Sequence, residues 1–272
     1  MKTKGEIMAR TIVVTSGKGG VGKTTLSAYL GMEFASRNMR VCLIDMDIGL
    51  NNLDVVLGIE NRVCFTMIDV IQGKCRTRQA LVEHDVYPLL FVMSSGSALK
   101  DITIRYEQIR SIVADLKRLF DFIIIDCPAG IDVGFTRAVS LADEALIVTT
   151  PHLSALRDAD KVATILKSYN LTSIKFVVNR CRGDLIKDKL MLDVYDIAST
   201  LNLDFAGVLP EDDTITINSN AYKLKINYSY PCFRAVKILA DNVLTDSKKL
   251  FDCTYKYRGL LGGFRKLLKR RC

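Results

Sequence analysis

The sequence predicts an α/β protein whose mostly parallel sheet is covered by helices on both faces, a doubly wound fold. Short apolar runs such as "RVCLID" and "DFIIID" are continuous rather than alternating, which is typical of strands buried on both faces. Segments with apolar residues at helical spacing separate these runs. Polar side chains follow the end of each run, and the carboxyl ends of the strands are where sheets of this kind bind ligands.

The predicted elements alternate along the chain. The strands are expected at 11–16, 40–45, 89–94, 121–126, 144–150, 174–179 and 204–210. The helices are expected at 22–37, 104–119, 132–142, 154–168, 186–201 and 233–249. Because no long linker or repeat interrupts this order, we expect one domain over residues 1–255 and a distinct terminal segment over 256–272.

The composition excludes several classes of protein. The 272 residues are 49% apolar and 25% charged, values typical of a globular protein and not of a disordered chain. No apolar run reaches the roughly 18 residues that cross a bilayer, and the N-terminus has no secretory signal, so a cytoplasmic location is expected. The eight cysteines form no C-x-x-C pair, which argues against a disulfide framework, a zinc site and an iron–sulfur carrier.

The net charge of +8 is concentrated at the C-terminus. Seven of the 38 basic residues lie in 256–272, which contains no acid, so the preceding 255 residues hold 31 basic and 30 acidic side chains. A nearly neutral body gives no reason to expect nucleic acid as a partner.

This terminal segment, "YRGLLGGFRKLLKRRC", predicts an amphipathic helix. On a helical wheel its apolar residues fall within an arc of about 120°, and all its basic residues but one lie opposite. The apolar residues are Leu260, Leu261, Phe264, Leu267 and Leu268. A core-packing helix and a nucleic-acid arm are alternatives, but a basic amphipathic helix without acids best fits an anionic membrane surface.

The stretch "SGKGGVGKTT" at 16–25 matches the phosphate-binding pattern G-x-x-x-x-G-K-[ST] between a predicted strand and a predicted helix. Its glycines let backbone N–H groups face a polyphosphate, Lys23 can reach the β- and γ-phosphates, and the Thr24 hydroxyl can bind Mg²⁺. A second lysine, Lys18, is not explained by this pattern. The predicted ATP-binding residues of the loop are Gly17, Lys18, Gly19, Gly20, Val21, Gly22, Lys23, Thr24 and Thr25.

Carboxylates at two other strand ends complete the predicted triphosphate site. Asp126 follows four apolar residues in "FIIIDCPAG", the Walker B form, and is the predicted Mg²⁺ ligand together with Thr24. Asp45 and Asp47 follow the second strand in "DMDIGLNNLD", and either could orient a water or sense the γ-phosphate. The residues alone leave this choice open.

The base is expected beside two further strand ends. Asn179 closes "IKFVVN" and carries an amide that both donates and accepts hydrogen bonds. Pro210 closes the last predicted strand, where backbone groups can face the same base.

With these motifs the chain resembles the deviant Walker A ATPases, and within that family the branch that places the division septum. The resemblance covers nearly the whole chain, including "ARTIVVTSGKGGVGKTT", "DMDIGLNNLD", "IIDCPAGID", "ADEALIVTTP" and "GVLPEDD". The phosphate loop with Lys18 marks the family, and "DIGLNNLD" and the basic tail mark the branch.

The resemblance implies roles for the site residues. Lys18 would act in trans on the partner's ATP in an ATP-bound homodimer, Lys23 would act in cis, and Asp47 would position the attacking water. Asp45 would join the first switch segment. The catalytic residues implied are therefore Lys18, Lys23 and Asp47.

The implied function is an ATPase that dimerises with ATP, binds the inner face of the cell membrane and recruits a division inhibitor acting on FtsZ, with turnover stimulated by an activator protein. Two alternatives from the same family stay open: a DNA-segregation ATPase of the ParA type and a flagellar-number regulator.

Overall fold

The structure is a computed structural model that describes residues 9–49, 51–96, 104–220 and 225–258. Its strands form a single sheet of order β3-β4-β2-β5-β1-β6-β7-β8, in which β3 alone runs antiparallel. The strands are β1 (Arg10–Thr15), β2 (Val41–Asp45), β3 (Val82–Glu83), β4 (Leu90–Met93), β5 (Phe122–Asp126), β6 (Glu144–Thr149), β7 (Ser173–Cys181) and β8 (Asp204–Pro210). The doubly wound, mostly parallel fold is thereby confirmed.

Helices cover both faces of the sheet. They are α1 (Lys23–Ser36), α2 (Asn52–Leu57), α3 (Met67–Ile71), α4 (Tyr106–Lys117), α5 (Val133–Val139), α6 (Leu153–Leu166), α7 (Gly183–Lys187), α8 (Val194–Leu201), α9 (Asp213–Asn220) and α10 (Pro231–Thr245). Short 3₁₀ turns lie at Glu60–Arg62, Thr77–Ala80 and Tyr255–Tyr257.

The core consists of two apolar layers, one on each face of the sheet. Helices α1, α2 and α10 pack over Ile12, Val14 and Leu43 on one face. Helices α4, α5, α6 and α8 pack over Val13 and Ile44 on the other. Successive strand residues therefore point into different layers, and both layers are apolar, which explains why the strands appear in the sequence as continuous apolar runs.

The prediction of one helix over 186–201 is wrong. Helix α7 ends at Lys187, and α8 begins only after Asp193, whose carboxylate accepts hydrogen bonds from the backbone N–H groups of Tyr195 and Asp196. The capping residue and the left-handed backbone of Lys189, φ 56°, interrupt an apolar periodicity that continues through both helices.

Several short elements were not predicted from the sequence: β3, α2, α3 and α9. Each is at most eight residues long. At that length an apolar pattern is too brief to distinguish helix, strand and loop.

The predicted amphipathic helix falls almost entirely outside the described residues, which end at Arg258. The first residues of the predicted segment 256–272 belong to the 3₁₀ turn Tyr255–Tyr257, where the Lys187 ammonium donates a hydrogen bond to the Tyr257 carbonyl. Within the described ranges, no helix has the length and apolarity needed to span a membrane.

Candidate nucleotide-binding site

The phosphate loop joins β1 to α1 and requires glycine at two close contacts. Gly22 has φ 98°, and a Cβ there would lie 2.4 Å from Nδ2 of Asn179. A Cβ on Gly17 would lie 2.4 Å from the carbonyl oxygen of Asp158 in α6. No real Cβ tolerates these distances, so both glycines are needed to hold the loop against its neighbours.

The two lysines of the loop point to different environments. Lys23 is buried at the first position of α1, where its positive charge lowers the pKa values of Asp47 and Asp126, partly offsetting the increase due to burial. Lys18 is exposed, and its carbonyl accepts a 2.7 Å hydrogen bond from the Ser16 hydroxyl. Lys23 therefore belongs to the site of its own chain, whereas the Lys18 side chain is open to a second molecule.

Asp126 closes β5 beneath the loop and is held by two hydroxyls of α1. Thr24 Oγ1 donates to it at 2.7 Å and Ser27 Oγ at 2.9 Å. Burial raises the pKa of Asp126 to about 6, while these hydrogen bonds and the charge of Lys23 oppose the shift. The hydroxyl and carboxylate oxygens of Thr24 and Asp126 are the kind of ligand that Mg²⁺ prefers, so the predicted pair fits the metal.

Ser27 was not predicted as a site residue. It lies three positions after Thr24 on α1, and that spacing places both hydroxyls on one helix face. The spacing was visible in the sequence, but which face points toward the end of β5 was not.

Asp45 and Asp47, between which the sequence did not decide, have different surroundings. Asp45 is buried, and its carboxylate accepts hydrogen bonds from the backbone N–H of Asp47 at 2.8 Å and of Leu53 at 3.1 Å. Burial raises the pKa of Asp45 to about 7, with the nearby Asp126 contributing to the same direction. Asp47 is only partly buried and lies near Lys23. Asp45 therefore shapes the segment, and Asp47 is accessible to solvent beside the phosphate loop.

A second contact fixes the same segment at its far end. The Asn51 carbonyl oxygen Oδ1 accepts hydrogen bonds from the Ser95 hydroxyl at 2.6 Å and from the Gly96 backbone N–H at 3.1 Å. The loop after β2 is thus attached to the residues that follow β4, and it holds Asp47 between two fixed points. Ser95 was another residue that the sequence did not identify.

Asn179 lies at the expected place and also supports the phosphate loop. Its Nδ2 donates a 2.8 Å hydrogen bond to the Val21 carbonyl, and its Oδ1 accepts from the Arg180 backbone N–H at 2.9 Å. A cavity of about 280 Å³ opens beside it, between the start of α1 and the end of β8. Gly22, Thr25, Tyr29, Asn179, Pro210 and Glu211 are among its lining residues. The predicted residues Asn179 and Pro210 thus share one cavity next to the loop, where a base can lie.

The site has a glycine-rich loop before a helix, a buried lysine, a Walker B carboxylate and an adjoining cavity. Together these features define a P-loop nucleotide-binding protein.

Comparisons with known proteins support the same class. The sequence profile of a family described as "AAA domain" matches residues 9–176. The septum site-determining protein MinD of Bacillus subtilis is 46% identical over 215 residues, which cover 78% of this chain and 80% of that protein. The chain therefore belongs to the MinD family of P-loop ATPases.

Solved structures show the same relationship. MinD in a MinC:MinD cell division complex from Aquifex aeolicus aligns with a TM-score of 0.82 and 38% identity, covering 89% of this chain and 98% of that one. MinD from Pyrococcus horikoshii OT3 in complex with Mg-ADP aligns with a TM-score of 0.78 and 28% identity, covering 88% of this chain and 97% of that one.

The buried carboxyl groups predict how stability depends on pH. The pKa values of Asp45, about 7, and Asp126, about 6, lie above those of carboxyls in an unfolded chain, so the folded protein binds protons first as the pH falls. The free energy of unfolding without nucleotide or metal should therefore increase from about pH 8 to about pH 5, by roughly 2–4 kcal/mol. Urea unfolding in EDTA measures it.

The variant Asp126→Asn serves as the control for this pH dependence. It removes one of the two groups, so it should be more stable than wild type at about pH 8 and gain less on acidification. A wild-type stability that stays constant or decreases over this pH window would contradict the assignment of both carboxyls.

The contact between Asn179 and the phosphate loop gives a second prediction. Asn179→Leu keeps a side chain of similar size but removes the hydrogen bond to Val21, so we expect the dissociation constant for ADP to increase about tenfold, equivalent to roughly 1.4 kcal/mol. Isothermal titration calorimetry measures this constant. The control is Asn170→Leu, in the loop before β7, at the amino ends of the strands and away from the phosphate loop. Equal affinities of the two variants for ADP would show that Asn179 does not support the phosphate loop.

Proposed function

We propose that this protein is an ATPase that dimerises when it binds ATP, attaches to the inner face of the cell membrane and helps to place the division septum. The observation that carries the proposal is the pair of lysines in one phosphate loop, Lys23 buried in the site and Lys18 exposed outside it. A single nucleotide site has no use for the second lysine, but a site shared between two chains does.

The roles proposed for the site residues are those that the family resemblance implies, and the positions of the residues support them. Lys23 neutralises charge on the phosphates of its own nucleotide, and Lys18 reaches the phosphates bound by a second copy. Asp47 accepts a hydrogen bond from the attacking water, and Asp45 holds the backbone of Asp47 in place through a 2.8 Å hydrogen bond. Because Lys18 acts only in the dimer, hydrolysis becomes conditional on assembly, as with an arginine supplied in trans.

Mg²⁺ is the proposed cofactor, held by Thr24 and Asp126. When bound, it would neutralise negative charge on the phosphates; in this structure the two side chains that would hold it are joined by a 2.7 Å hydrogen bond. Ser27 donates to the other carboxylate oxygen and keeps the carboxyl group oriented. The Mg-ADP complex of the Pyrococcus relative supports this choice of metal.

Membrane attachment is assigned to the terminal segment 256–272. Its apolar arc can enter the interface of the bilayer while its lysines and arginines contact anionic headgroups. One such segment binds weakly because ordering it offsets most of the gain, whereas the two segments of a dimer act at high effective concentration. ATP binding therefore promotes attachment, and hydrolysis promotes release.

The partners proposed are a MinC-type division inhibitor that acts on FtsZ and a MinE-type or other activator of hydrolysis. The Aquifex relative, solved as a MinC:MinD complex, supports the first. A ParA-type role in DNA segregation is disfavoured by the near-neutral body, and a role in flagellar number by the septum site-determining relatives.

The role of Lys18 is tested by the mass of the protein in solution. With ATP the wild type should form a dimer, whereas Lys18→Ala should stay a monomer. The dissociation constant of the variant's dimer should increase about a hundredfold or more, while the variant still binds ATP. Mass photometry with ATP and with ADP measures the fraction of dimer for the wild type and for the variant. Lys167→Ala, an exposed lysine at the end of α6, is the control, and a normal dimer of Lys18→Ala would remove the basis for action in trans.

The terminal segment is tested by truncation after Arg258. The shortened protein should bind and hydrolyse ATP as a dimer but no longer sediment with vesicles of phosphatidylglycerol and phosphatidylcholine in the presence of ATP. Cys272→Ser, which changes the end of the segment without altering its charge, is the control. Sedimentation of the truncated protein at the wild-type level would show that membrane attachment resides elsewhere.

A further inference from the structure

We propose that the ATPase body carries a second lipid contact, the turn at the end of α7 formed by Lys187, Asp188, Lys189 and Leu190, here called the α7 turn. In this proposal the turn lies on the same anionic lipid surface as the terminal segment and inserts Leu190 into it. The inference rests on the proposed membrane attachment and extends it from the tail to the body.

The backbone of the α7 turn directs Leu190 outward. The Lys189 N–H donates to the Ile186 carbonyl at 3.0 Å and the Leu190 N–H to the Leu185 carbonyl at 2.9 Å, the two hydrogen bonds of a Schellman motif. Lys189 occupies the left-handed position of that motif with φ 56°. This left-handed conformation is most favourable for glycine, so the backbone alone gives no reason for a lysine at this position.

Leu190 is an apolar side chain in solvent. In a Schellman motif the residue at its position commonly packs against the helix it follows, yet Leu190 is 67% exposed. Leu190 lies between Lys189 and the half-buried Met191 in the chain. Lys187, the last residue of α7, precedes Leu190 by three positions. An exposed leucine beside lysines whose long stems can extend to headgroups is the arrangement of a surface that enters the membrane interface.

The terminal segment begins next to this turn. The Lys187 ammonium donates a 2.6 Å hydrogen bond to the carbonyl of Tyr257, and the described chain ends one residue later. The described start of the terminal segment, residues 256–258, therefore lies beside the α7 turn. A membrane that receives the first residues of the tail must also pass close to the α7 turn.

The charges around the turn favour an anionic surface. Among the neighbouring acids, the buried Asp184 is bound by Arg182 at 2.6 Å and Asp252 by Arg258 at 2.7 Å. Glu211 is exposed near Lys256 and is the acid that the lysines around the turn outnumber. Asp188 in the turn itself is half-buried, whereas Lys187, Lys189 and Lys256 are exposed. Tyr255, 38% exposed at the root of the tail, adds an aromatic side chain of the kind found at membrane–water interfaces.

Insertion is tested by fluorescence, since the chain contains no tryptophan. In Leu190→Trp the single indole should shift its emission to shorter wavelength and lose at least half of its intensity when the protein binds, with ATP, to vesicles whose phosphatidylcholine carries brominated acyl chains mixed with phosphatidylglycerol. Val86→Trp is the matched control, since Val86 is 50% exposed in the turn between β3 and β4 at the opposite edge of the sheet. Equal quenching, or none, at both positions would overturn the proposal.

Binding is tested with a variant that the fold should tolerate. Lys189→Gly places glycine in the left-handed position, so the variant should be at least as stable as wild type in urea and yet bind phosphatidylglycerol vesicles about tenfold more weakly with ATP. The charge control is Lys167→Glu, at the end of α6, which should bind as wild type. Glutamate is used there because glycine would alter the end of the helix.

The outcomes separate this proposal from the proposed function. If the wild type itself fails to sediment with vesicles and ATP, membrane attachment is wrong and the proposal falls with it. If the wild type sediments and Lys189→Gly binds equally well, only the α7 turn is excluded. If Lys189→Gly instead loses its ATP-dependent dimer, measured by mass photometry, the turn is an interface between copies of the chain and the lipid proposal is overturned.

Discussion

Two buried carboxyl groups lie side by side in this protein, and the site is arranged around them. Asp45 and Asp126 are paired residues at the ends of the neighbouring parallel strands β2 and β5. Two ionised carboxylates removed from water at this separation are unfavourable unless hydrogen bonds and positive charge compensate. The hydroxyls of α1 supply this compensation for Asp126, and backbone N–H groups supply it for Asp45. The ammonium of Lys23 lowers the pKa of Asp126 and of Asp47. The arrangement is that of a site that gains from receiving a cation.

Hydrogen bonds of Asp45 also determine the conformation of the segment that carries Asp47. The carboxylate of Asp45 accepts hydrogen bonds from the backbone N–H of Asp47, two residues away, and from that of Leu53, the second residue of α2. Asn51 fixes the same segment to Ser95 and Gly96. Asp126 raises the pKa of Asp45 through its charge, and Asp45 in turn accepts a hydrogen bond from the backbone N–H of Asp47. The two aspartates in "DMDIG" therefore differ: Asp45 is buried and holds the backbone of the segment, whereas Asp47 is partly exposed beside Lys23.

Much of this could be predicted from the sequence because the strands are buried on both faces and the ligand edge follows from their direction. The phosphate loop, Asp126, Asn179 and Pro210 were identified in this way, and the structure places them around one loop and one cavity. What the sequence did not give were contacts that depend on how separate elements pack. Ser27 and Ser95 are hydroxyl residues of the commonest kind, and only the distances to Asp126 and Asn51 single them out. The predicted helix over 186–201 failed for a related reason, since its apolar period continues through a break that local capping creates.

Gly17 has a consequence for the surface of the molecule. Its backbone packs so closely against the carbonyl of Asp158 that no side chain fits between the phosphate loop and α6. The loop and the helix are therefore in direct backbone contact, and the outer side of α6 exposes Arg157, Asp160 and Lys161. Any side chain at position 17 would separate the nucleotide site from that helix.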